Sequence, residues 1–176
     1  MRRVVMVAML GLFVGAGGVA AQDGGQDGSA SATLVDPAGQ EIGRAMLTET
    51  PNYGVLIRVE VEGLEPGAHG FHIHETGRCE VPDFASAGGH YAPRGSAHGV
   101  HRRDGKHAGD LLNLVVPESG GVVTEQLAQG VTLEPGEEGS LFDDDGSALV
   151  IHANPDDYQT QPSGGGGPKV ACGVIR

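Results

Sequence analysis

The sequence predicts an all-β fold: an antiparallel β-sandwich or flattened barrel carrying two long functional loops. Three observations lead there. Short segments of alternating or apolar character follow one another along the chain, glycine and proline clusters separate them, and no segment sustains a helical period. SATLVD (31–36) and RAMLTE (44–49) flank the turn DPAGQ. YGVLIRVEVEGL (53–64) alternates most cleanly, with Val55, Ile57, Val59 and Val61 on one face and Leu56, Arg58, Glu60 and Glu62 on the other. After LEPGA come GFHIHE (70–75), DLLNLVV (110–116), GVVTEQLA (121–128), SALVIHA (147–153) and KVACGVI (169–175). Residues 79–109, rich in glycine and histidine, and residues 153–169, ending in four glycines, form two long loops, and such loops in a compact domain are usually functional. EPGEEGSLFDDDG (134–146) reads as a solvated loop, because its acids lack the ligand spacing of an EF-hand.

Arg2 and Arg3 precede an apolar run that closes on Val19-Ala20-Ala21, the pattern of a secretory signal peptide cut after Ala21. The expected organisation is therefore a signal peptide (1–21), a flexible polar linker (22–31) and one domain (32–176). No later segment is long and apolar enough to span a bilayer, so cleavage leaves no membrane anchor, and the expected location is periplasmic or extracellular. Removing Arg2 and Arg3 takes two positive charges from a formal net charge of −12 and leaves −14, which argues against nucleic acid and anionic membranes as partners. Cys79 and Cys172 are the two cysteines, and in an exported chain they are most simply a disulfide.

The chain has eight histidines, and seven lie between His69 and His107. In GFHIHETG, His72 and His74 share one strand face while Phe71 and Ile73 take the other. A lone pair of this kind also fits a polar outer face. The remaining histidines favour a metal site: His152 stands on a separate strand, and His98, His107 and Asp110 offer mixed nitrogen and oxygen donors. His90 lies between these sets in sequence and serves either, or both if its ring bridges two ions.

HGFHIHETG (69–77), AGGHYAP (87–93), HGVHRRDGKHAGDLLN (98–113), LVIHANPDD (149–157) and GGGGPKVACGVI (164–175) occur in this order, and with them the chain resembles the copper/zinc superoxide dismutases in their exported bacterial form. The resemblance implies a Greek-key β-sandwich. It also implies disproportionation of superoxide to oxygen and hydrogen peroxide by a copper centre bridged through a histidine to a structural zinc. His72, His74, His90 and His152 match the copper ligands, and His90, His98, His107 and Asp110 the zinc ligands. Asp156 matches a carboxylate linking a copper ligand to a zinc ligand, and Cys79 and Cys172 match the family disulfide. His69 matches a structural histidine, while His101 matches no ligand. A homodimer is compatible with the resemblance.

One position departs from the family pattern. Where an arginine guides the anion to copper, this chain has Lys169, which keeps the charge and loses the planar fork. The expected catalytic residues are therefore Lys169 and His90. The alternative is a copper/zinc-binding or metal-carrier protein of the same fold without turnover, for which Lys169 leaves room. A blue-copper electron-transfer site would need a free thiolate, and a zinc hydrolase built on HxH would need HxHxD, where Glu75 and Thr76 follow His74 here.

Overall fold

The computed structural model describes residues 28–103 and 105–176. The expected signal peptide (1–21) and the first part of the expected linker lie outside the described residues. Nine strands are present among the described residues: β1 (Ser29–Val35), β2 (Glu41–Thr50), β3 (Gly54–Val61), β4 (Gly67–His69), β5 (Phe71–His74), β6 (Leu114–Val116), β7 (Val122–Ala128), β8 (Ala148–His152) and β9 (Lys169–Val174). The only helical element among the described residues is one 3₁₀ turn, Ala85–Ala87. Seven strands form a curled antiparallel sheet in the order β5-β8-β9-β1-β2-β3-β7, and β4 pairs with β6. The neighbours β5–β8, β9–β1 and β3–β7 are not consecutive in sequence, so connections cross over between distant strands, as in a Greek key.

The alternation of β3 predicts its burial. Val55, Ile57, Val59 and Val61 are all 1% exposed or less, while Arg58 points to solvent. These side chains join Leu34, Leu47, Phe71, Ile73, Leu149 and Ile151 in one core. Several boundaries differ from expectation. β2 begins three residues before the expected segment. Only Leu114–Val116 of the segment expected at 110–116 forms a strand, the preceding residues belonging to the loop that carries Asp110. β1 starts at Ser29 rather than near Ala32, because Ser29, Ala30 and Ser31 pair with Thr48, Leu47 and Met46. Their small size reads as linker composition, yet Ala30 is buried in the core. The strand expected at 70–75 is split at Gly70. The Gly70 N–H donates to the Asn154 carbonyl and its own carbonyl accepts from the His152 N–H, so the break ties this strand to the second long loop.

The first long loop docks on β5. The Tyr91 N–H donates to the Ile73 carbonyl, and the Ile73 N–H donates to the Gly109 carbonyl, each at 2.9 Å. Bridges His72–Asp110 and His74–His90 lie alongside. A free strand edge is thereby covered by backbone from the loop. The approach is so close that a Cβ on Gly109 would sit 2.3 Å from the Ile73 oxygen. A disulfide joins Cys79, at the start of this loop, to Cys172 in β9, with Cα atoms 5.6 Å apart.

Candidate metal centre

Each donor is carried by an element fixed elsewhere in the fold. His72 and His74 project from β5, and His152 ends the adjacent β8. His90, His98, His107 and Asp110 come from the loop that covers the edge of β5. The result is two groups that share His90. One ligand atom from each of His72, His74, His90 and His152 lies within 4.8 Å of the others, and the same holds for His90, His98, His107 and Asp110. All seven residues are buried or half-buried.

The hydrogen bonds fix which ring nitrogens are available. A carbonyl oxygen can only accept, so His74 Nδ1 donates to Gly88 (2.9 Å) and His152 Nδ1 donates to Gly167 (3.1 Å). Both Nε2 atoms then carry lone pairs, and they face each other at 3.3 Å. His72 Nε2 donates to Asp156 Oδ2 at 2.9 Å, which leaves a buried His72 Nδ1 without a partner. In the second group, His90 Nδ1 and His98 Nδ1 lie 2.8 and 2.9 Å from the same oxygen, Asp110 Oδ1, and His107 Nδ1 lies 3.3 Å from it. His98 donates its other nitrogen, Nε2, to Asp156 Oδ1 at 3.0 Å, so its Nδ1 turns a lone pair toward a carboxylate. His90 Nε2 is buried and unpartnered.

Lone pairs facing lone pairs in a buried site repel, and a cation between them removes the repulsion. The donor set therefore fits two ions: four imidazoles for one, three imidazoles and a carboxylate for the other. Electrostatics keeps the donors ready. Burial lowers the pKa of His72 to about 4, with Asp156 acting against it, and lowers His152 to about 4 as well. Burial also lowers His74 and His90, so these rings are neutral ligands near pH 7. Burial alone would raise Asp110, but hydrogen bonds from His107, His90 and the Gly99 N–H outweigh it and hold the carboxyl well below the usual range.

Asp156 sits between the groups, touching His72 with one oxygen and His98 with the other. Burial would raise its pKa, but His72, the Tyr158 N–H and His98 keep it ionised. A partner absent from the sequence reading is Asn113. Its side chain bonds both the N–H and the carbonyl of Asp156, at 2.8 and 2.9 Å, from 43 residues away. It lies at the end of the motif 98–113, but no donor chemistry marks it. His69 is held between the carbonyls of His152 and Glu65, both at 2.8 Å, and touches no ligand nitrogen. His101 is exposed and meets the Tyr158 ring edge-on.

Lys169 and the imidazoles of His74, His90 and His152 line one cavity of about 560 Å³. Lys169 Nζ donates to the Gly88 carbonyl at 3.3 Å, the same oxygen that orients His74. Two other cations of the first loop have local duties. Arg94 pairs with Glu138 at 2.9 Å, and Lys106 Nζ donates to the carbonyls of His107 and Asp110.

A family model for copper/zinc superoxide dismutase matches residues 41–175. The chain belongs to the copper/zinc superoxide dismutase family. A superoxide dismutase [Cu-Zn] of Aquifex aeolicus is 49% identical over 152 residues, covering 86% of this chain and 88% of that protein. Among solved structures, a SOD-like protein from Bacillus subtilis superposes with a TM-score of 0.80 at 39% identity, covering 83% of this chain and 97% of the other. The Cu/Zn superoxide dismutase of Brucella abortus superposes with a TM-score of 0.68 at 31% identity, covering 84% and 99%. The cofactors of this family member are copper and zinc.

Proposed function

We propose that the chain disproportionates superoxide, taking two superoxide ions and two protons to one oxygen and one hydrogen peroxide. The observation that carries this reading is the pair of donor groups joined by one ring, His90, beneath the cavity lined by Lys169. His72, His74, His90 and His152 would hold copper, and His90, His98, His107 and Asp110 would hold zinc. When bound, copper supplies one-electron chemistry between two valences and zinc a fixed positive charge.

The protein's own part is to orient and to move a proton. Gly88, Gly167 and Asp156 fix the rings of His74, His152 and His72, so the donors stay in place as charge changes. His90 Nε2, buried and without a hydrogen-bond partner, would take up a proton and give it to the product peroxide, while Nδ1 stays beside Asp110 Oδ1. Lys169 attracts the anion with a single ammonium, which orients less well than a guanidinium fork. Its burial lowers its pKa, with Asp83 acting against the shift.

Export to the periplasm or extracellular space follows from the signal-like N-terminus, and mass spectrometry of the mature protein should give a first residue of Gln22. A homodimer is supported by the exposed Leu112 and by Val115 of β6, 59% and 71% accessible. Sedimentation at micromolar concentration should give twice the chain mass, and a monomer would remove that part. The test of function is metal analysis joined to a superoxide assay. Activity should rise linearly with copper to one ion per chain at full zinc. Full loading of both metals without turnover would leave the non-catalytic metal-binding reading in its place.

A further inference from the structure

We infer that Asp83 sets the anion affinity of the substrate channel, because its carboxylate lines the same cavity as Lys169 and offsets the charge of that ammonium above the imidazole cluster. The inference deepens the dismutase reading and rests on it for the identity of the anion. Apart from histidines, Lys169 and Asp83 are the charged side chains among the described residues lining the cavity. They are also fixed relative to each other. Asp83 Oδ1 accepts the Ala85 N–H at 3.0 Å at the entry to the 3₁₀ turn Ala85–Ala87. That turn runs into Gly88, whose carbonyl receives Lys169 Nζ at 3.3 Å and His74 Nδ1 at 2.9 Å. One short stretch of chain thus connects the acid to the oxygen on which the ammonium rests.

Asp83 is solvent-exposed, and its negative charge favours the charged form of Lys169, so the two groups feel one another. Apart from bound metal, the side chains of this mouth offer a small anion one positive and one negative charge, on a chain of net charge −12. The local attraction expected of Lys169 is therefore muted, and its share of the salt dependence falls with it. Removing the acid while keeping its hydrogen bond should uncover the lysine. In the Asp83→Asn variant the side-chain oxygen would still accept the Ala85 N–H, so the turn and Gly88 need not move.

The experiment compares the copper- and zinc-loaded protein with its Asp83→Asn and Asp83→Glu variants at matched metal content. Two readouts are taken over a range of salt: kcat/KM for superoxide, and the dissociation constant of azide followed by the copper absorption spectrum. Asp83→Asn should raise kcat/KM and tighten azide about two- to fivefold at low ionic strength, with the gain vanishing near molar salt, where the screening length is about 3 Å. Asp83→Glu should keep the parent's salt profile. Azide affinity and salt slope unchanged in Asp83→Asn would overturn the inference, as would lower activity with unchanged azide affinity. Azide reports the charge of the mouth even without turnover. Tighter azide binding in a protein that never consumes superoxide would keep this inference and remove the dismutase reading.

Discussion

His90 is the residue on which the two donor groups depend, since it alone belongs to both. Around it, the ring nitrogens of His72, His74, His98 and His152 that turn away from the ion sites are committed to a carbonyl or carboxylate, which is how a protein selects a tautomer. Asp156 does this for two rings at once. Asp156→Asn keeps one acceptor but turns an NH₂ toward a ring N–H, so zinc should leave to a chelator about 10- to 100-fold faster. An unchanged release rate would show that Asp156 is dispensable. Lys169 makes a second prediction at this scale. Lys169→Arg should raise the low-salt rate about twofold at equal copper, because a planar fork orients the anion as well as attracting it. No rise would mean that orientation does not limit capture.

At the scale of elements, the site is a loop pressed onto a strand edge. β5 supplies two histidines facing the loop and two hydrophobic residues, Phe71 and Ile73, facing the core. The Cys79–Cys172 disulfide anchors the start of that loop to β9 and spans 93 residues. Its removal by Cys79→Ser with Cys172→Ser should cost about 2–5 kcal/mol in urea unfolding of the metal-free protein. It should also speed metal loss, since His90, His98, His107 and Asp110 all ride on that loop. A double variant as stable as the parent would contradict the anchoring role. Much of this level was legible in advance. Val55, Ile57, Val59 and Val61 announce β3 because burial of one face imposes a period of two on the side chains. β4 and the start of β1 were not legible. Gly67–His69 is too short to show a period, and Ser29, Ala30 and Ser31 are too small and polar to stand out from a linker. Donor residues were readable because metal chemistry restricts them to a few side-chain types. Asn113 and Asp83 were not, because their roles exist only through proximity to Asp156 and Lys169, which the fold creates.

For the whole molecule, the buried imidazoles link stability to pH. His72 and His152 have folded-state pKa values of about 4, below the ordinary 6.5, so the unfolded chain binds more protons between those limits. The metal-free protein should therefore lose stability as pH falls from about 6.5 to about 4. The metal-loaded protein should hold its stability further into the acid range, because bound ions keep the rings deprotonated. Thermal melts across this range check both statements, and a flat metal-free profile would contradict the burial argument. The depressed pKa values of Asp110 and Asp156 act lower, their stabilisation being lost only as pH falls below about 4.

The most direct measurement is anomalous diffraction at the copper and zinc edges from crystals of the loaded protein. Two ions should appear on opposite sides of the His90 ring, copper among His72, His74 and His152, and zinc among His98, His107 and Asp110. A single ion, or two that do not share His90, would contradict the account.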